Sequence, residues 1–209
     1  MTVGRPVYTR ELYTLCHLSC VSIKVDCMRP ITNTYTDPLD LIWLHAAQQM
    51  GMRVERSAEV NASWDGGGVL TIGTAETLDA DDCLAQMILH EACHALVEGP
   101  DSLQKLDWGL GEADKVHEHA CLRLQAALAD TVGMRPFFAA TTVFRRYYDA
   151  LPDNPLATED DPAIAMALAA WQSATRGPWA VPLQEALSKS AAIADLLADS
   201  APNHSLWKR

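Results

Sequence analysis

The sequence predicts an α+β chain, mainly helical, with a small antiparallel sheet. Three observations carry that expectation. Residues 79–98 and 111–130 repeat apolar side chains at helical spacing, three and four apart. Residues 52–56 and 69–73 are short strand-like runs, the second entered from the glycine-rich turn Asp65-Gly66-Gly67-Gly68. The last third is alanine-rich and broken by Asp161-Pro162 and Gly177-Pro178. With 209 residues and 49% hydrophobic content, the chain is long enough to bury a sizeable core.

The elements follow in order. A helix is expected over 38–51, starting at Pro38 and closed by Gly51. The strands at 52–56 and 69–73 come next, the glycine turn between them reading as a hairpin or a mobile rim. Asp79, Asp81 and Asp82 suit the positive end of a helix over 79–98. Its apolar face is Cys83, Leu84, Met87, Ile88, Ala92, Cys93 and Ala95, and Gly99-Pro100 ends it. A second amphipathic helix spans 111–130 through Val116, Ala120, Leu124, Ala127 and Leu128. A helical segment over 136–150 carries Phe144, Tyr147 and Tyr148. Helices from Pro162 through Trp171 and over 182–198 complete the chain. The loop 151–155 suggests a core of residues 1–150 and a helical extension of 151–209, which can also belong to the same domain.

The most informative residues are His90-Glu91-Ala92-Cys93-His94. On a helix, positions four apart lie on one face, with Cβ atoms roughly 5–6 Å apart. Two imidazoles at that spacing reach one zinc ion, at about 2.0–2.1 Å each. The intervening Glu91 points beside the metal, where it can take a proton from a water. A catalytic zinc site needs a third protein ligand and an open fourth position. Within the next helix, His117-Glu118-His119 is the densest group of potential ligands. Adjacent helical residues point about 100° apart, so one or two of the three can face an ion. Glu118 is the first choice, giving a two-His-one-Glu set, with His117 second and Glu112 third.

The order of helix, strand, glycine turn, strand and H-E-x-x-H helix, with Glu118 on the helix after it, resembles the ImmA/IrrE-type zinc peptidases. The resemblance covers residues 36–130, and its specific part is the histidine pair with its glutamate. Where that family has glycine before the second histidine, this chain has Cys93. The resemblance implies a zincin-like fold with the sheet packed beside the H-E-x-x-H helix. It also implies one Zn2+ held by His90, His94 and Glu118, Glu91 as general base, and a peptide or protein substrate. On that mechanism Glu91 accepts a proton as water attacks a peptide carbonyl and returns it to the leaving amine. His117, His119, Tyr147 and Tyr148 are candidate donors to the developing oxyanion. The strand at 69–72, if it lies at a sheet edge, offers strand addition to an extended peptide.

Charge and cysteines bound the alternatives. A net charge of −11 and a pI near 4.9 argue against nucleic acid as the main partner. No apolar run reaches the length of a membrane span and no signal-peptide core is evident, so a cytoplasmic protein is expected. Cys16, Cys20 and Cys27, with His17 among them, form a cluster that fits no common metal spacing and reads as packing residues or as a second metal site. Cys83, Cys93 and Cys121 are expected in the core. The competing functions are a non-catalytic zinc-binding partner protein and a redox or metal sensor built on the cysteines. Oligomeric state and substrate identity leave no trace in the sequence.

Overall fold

The computed structural model describes residues 32–111, 114–139, 142–157 and 160–208. The chain divides into Met1–Tyr35 and Thr36–Arg209. In the first unit, residues 32–35 are irregular and exposed. The cluster of Cys16, Cys20 and Cys27 lies outside the described residues, as does Glu112.

The second unit is α+β. Its first helix, α1 (Pro38–Gln49), begins where Asp37 Oδ1 accepts the Leu39 N–H at 2.8 Å and Pro38 supplies a helical φ without needing a donor. Three strands follow: β1 (Arg53–Ser57), β2 (Ala62–Trp64) and β3 (Val69–Gly73). They form one sheet in the order β1-β3-β2. β1 pairs parallel with β3, with Arg53 opposite Val69. β2 pairs antiparallel with β3, with Trp64 opposite Leu70. The sheet is therefore mixed, where the sequence suggested an antiparallel one. The short β2, too brief to show a pattern, makes the hairpin with β3 and leaves β1 to join from the other side.

This topology also removes β3 as a docking edge, because both of its edges are paired. The glycine turn is the hairpin turn, fastened by Asp65 Oδ1, which accepts from Gly67 N at 2.6 Å and Val69 N at 2.9 Å. Three backbone N–H groups, of Val69, Gly67 and Gly68, donate to the exposed Asp65 carboxylate and hold it below its usual pKa.

α2 (Leu84–Glu98) carries the histidine motif. It starts five residues later than the acidic run suggested. Residues 79–82 form a turn, and Cys83 is extended (φ −140°, ψ 166°), its backbone N–H donating to the Gln86 side-chain oxygen. The aspartates thus precede the positive helix end instead of lying within it. Gly99, at φ +79°, ends the helix as expected. α3 (Lys115–Asp130) starts from Asp114. Among the described residues of 136–150, only α4 (Arg145–Asp149) is helical. α5 (Ala163–Arg176) and α6 (Ala180–Leu197) meet at Gly177, where a Cβ would stand 2.4 Å from the Ser173 carbonyl oxygen.

One hydrophobic cluster unites these elements. Trp43, Leu70, Ile72, Ile88, Leu89, Leu124, Phe138 and Leu187 are all buried in it. α2 packs against α1, α3 and α5, and α6 packs against α1 and α5. Helices from both sides of residue 150 therefore share a core. Among the described residues, no helix is long and apolar enough to cross a membrane.

Candidate metal centre

Every residue of α2 from Leu84 to Ala95 is buried, so the motif sits inside the molecule. His90, Glu91 and His94 are 6%, 7% and 6% exposed. The helical offset of four places the two rings edge to face, with centroids 4.6 Å apart, and sets their Nε2 atoms 3.1 Å apart. α3 packs alongside and presents Glu118. Its Oε2 lies 3.2 Å from His94 Nε2, and its Oε1 lies 3.8 Å from His90 Nε2.

Three donors bound tetrahedrally to one ion at about 2.0–2.2 Å stand about 3.3–3.6 Å from one another. The two Nε2 atoms, 3.1 Å apart, and Glu118 Oε2, 3.2 Å from His94 Nε2, lie close to that range, while the carboxylate's other oxygen is the one 3.8 Å from His90 Nε2. Glu118 Oε1 is buried and has no hydrogen-bond partner, an arrangement that costs free energy unless something else satisfies the atom. The donor set fits a metal ion. Burial disfavours the charged form of His94, but the Glu118 carboxylate outweighs it, helped by Glu91 and Glu98, and the imidazole pKa is raised. Burial would lift the Glu118 carboxyl, yet the neighbouring imidazoles, His94 above all, hold it below its usual value.

His90 is oriented from behind. Gln125 stands seven residues after Glu118, on the same face of α3. Its Nε2 donates to the Phe138 carbonyl at 2.6 Å, which fixes the amide so that Oε1 faces His90 Nδ1 at 2.9 Å. With the amide so fixed, the Nδ1 edge of His90 faces an acceptor oxygen, and the Nε2 edge is turned towards Glu118. Gln125→Leu keeps the volume and removes this hold. Metal affinity is expected to fall about 10–100-fold, measured by competition with a chromophoric chelator. An unchanged affinity would show that Gln125 only packs.

Cys121 adds a fourth candidate. His90, His94 and Cys121 each place one ligand atom within 4.8 Å of the others, a buried group that could hold a metal ion. The Cys121 thiol, however, lies 3.6 Å from His90 Nδ1 and 3.4 Å from the His90 carbonyl oxygen. It faces the ring edge already taken by Gln125, whereas Glu118 faces the edge shared with His94. Cys93 and Cys121 are fully buried and Cys83 is half-buried, as expected for core cysteines.

The other predicted donors are engaged elsewhere. His117 pairs with Glu98 through Nδ1 and with Asp114 through Nε2, one turn along α2 from His94. His119 stacks on Tyr147, centroids 3.5 Å apart, on another face of α3, and its Nε2 is buried without a partner. Tyr147 donates its hydroxyl to Asp161 at 2.7 Å and receives the Arg123 Nε–H. Tyr148 donates to the Arg135 carbonyl at 3.0 Å.

Two residues that touch the motif went unnoticed in the sequence. Gln125 carried a weak signal, a polar residue within the apolar stripe of α3. Trp108 carried none. It lies in the irregular turn Leu106–Gly109, is 2% exposed, and donates its indole N–H to Glu91 Oε2 at 2.7 Å. Asp107 and Trp108 both have left-handed backbone, at φ +43° and +60°. Each such non-glycine residue stores about 1–3 kcal/mol of strain, and such strain concentrates at functional sites.

Comparison with known protein families, curated proteins and solved structures finds no match for this chain.

Proposed function

We propose that this chain is a zinc-dependent peptide hydrolase in which His90, His94 and Glu118 bind one Zn2+ and Glu91 is the general base. The observation that supports it best is the convergence of two Nε2 atoms and a carboxylate at 3.1–3.8 Å, with the Glu91 side chain buried beside them. A structural site has no use for that glutamate. Zinc held there would lower the pKa of a water towards about 7 and polarise a peptide carbonyl. Glu91 takes the proton of the attacking water and delivers it to the leaving amine. Gln125 would keep His90 Nε2 turned towards a bound ion, and the burial of all three motif side chains would keep the charges poorly screened and therefore strong. On this reading the fold is zincin-like and the likeness to ImmA/IrrE-type peptidases extends to function.

Elemental analysis tests it directly. One zinc per chain is expected in the wild type and in Glu91→Gln, and none in His94→Ala. Hydrolysis of a peptide library is expected from the wild type alone. Metal that survives His94→Ala would place it elsewhere and end the hydrolase reading.

The position of Cys121 favours one other reading, a closed structural site of His90, His94, Glu118 and Cys121 in a non-catalytic partner protein. The two readings part at Cys121→Ala. The hydrolase reading expects metal affinity to stay within a few-fold, because the thiol binds the far ring edge. A loss of metal comparable to that in His94→Ala would establish the closed site instead.

A further inference from the structure

We propose that Trp108 is the positioning residue for the general base, holding the Glu91 carboxylate beside the ion and off it. The inference rests on the hydrolase reading above and adds a residue to it. A glutamate adjacent to a ligand histidine is long enough to swing onto the metal, where it would block the position needed for water. It must be tethered by one oxygen and left free at the other. The indole N–H of Trp108 tethers Oε2 at 2.7 Å. Among the described residues, Oε1 makes no hydrogen bond and remains the proton acceptor.

The tether is itself built to stay in place. Trp108 stacks on Trp64, centroids 4.4 Å apart and planes 9° from parallel. Trp64 donates its backbone N–H to Asp107 Oδ1 at 3.0 Å and its indole N–H to the Leu103 carbonyl at 3.1 Å. Trp64 of β2 thus holds the chain leading into the tryptophan at two points, Leu103 and Asp107. Asp107 and Trp108 keep left-handed backbone within that grip, and the strained turn brings the indole nitrogen to Glu91. Both tryptophans are 2% exposed, so water does not compete for the N–H.

The test uses acetohydroxamate, a metal-chelating acid whose proton a correctly placed Glu91 accepts. Its dissociation constant is measured by calorimetry on the zinc-loaded full chain. Trp108→Phe keeps the stacked ring and removes the N–H. β-(3-benzothienyl)alanine in place of Trp108 keeps the whole bicyclic shape with sulfur for N–H, and covers the case in which Trp108→Phe misfolds. Zinc affinity is expected to be unchanged in both, because Trp108 touches no ligand. Acetohydroxamate is expected to bind about tenfold more weakly in each, the effect of one hydrogen bond to a charged group. In a Glu91→Gln background the same replacements are expected to change nothing further, which a merely structural role of the tryptophan would not produce. Equal affinity in wild type and both replacements overturns the proposal alone. A weakening that persists in Glu91→Gln overturns it as well. Failure of the wild-type zinc protein to bind acetohydroxamate overturns the hydrolase reading and this inference with it.

Discussion

Glu91→Gln is expected to keep its zinc and lose about 10²–10⁴-fold in kcat, with KM little changed. The substitution preserves the side-chain volume and an oxygen or nitrogen at each position. The Trp108 N–H can still donate to the amide oxygen. What disappears is the basic oxygen, and with it the proton transfer to the leaving amine. Neither His90 nor His94 loses a hydrogen bond, because Glu91 bonds to Trp108; His94 loses only the charge of a neighbouring carboxylate. Steady-state kinetics on any peptide cleaved by the wild type, beside metal analysis of the same samples, makes the measurement. If kcat falls less than about tenfold, Glu91 is not the base and the motif serves another end.

Trp43→Ala is expected to lower the unfolding free energy by about 3–5 kcal/mol, a large share of the roughly 5–15 kcal/mol typical of a domain. Trp43 is fully buried where α1 meets α6. Its ring lies 5.4 Å from that of Phe138, and its indole N–H donates to Ser190 Oγ at 3.0 Å. Truncation opens a cavity and strips Ser190 of that partner, although Ser190 still donates to the Ala186 carbonyl at 2.8 Å. Trp43→Phe retains most of the volume and is expected to cost about 1–3 kcal/mol. Urea unfolding followed by circular dichroism measures both. A loss under about 1 kcal/mol for Trp43→Ala would mean that the α1–α6 contact contributes little. The consequence reaches the candidate metal site, since Phe138 also supplies the carbonyl that fixes Gln125.

Much of this arrangement was legible from local patterns. The start of α1, the bounds of β3 and the C-terminal end of α2 follow from Pro38, the Val69–Gly73 run and Gly99, because caps and breakers act within a few residues of where they are written; α1 itself stops at Gln49, two residues before Gly51. The acidic run at 79–82 misled by a turn, since charges that complement a helix end do so from outside it as well as within. The segment 136–150 misled more. Phe137 and Phe138 lie on turn backbone, and Tyr147 and Tyr148 on the five-residue α4, where Tyr148 is tied to the Arg135 carbonyl.

The sequence by itself determined that His90 and His94 share a face with Glu91 beside them, because a helix of 3.6 residues per turn permits nothing else. It also narrowed the third ligand to a few residues on the following helix. Which of them stand beside the histidines was decided by tertiary structure, which packs α3 on α2 so that Glu118 meets the Nε2 edge, Cys121 and Gln125 meet the Nδ1 edge, and His117 turns to Glu98. The mixed order of the sheet and the approach of Trp108 to Glu91 were equally beyond it. Both depend on contacts between segments far apart in the chain, whose partners are set by how the whole core packs and not by any pattern within reach of a single turn or strand.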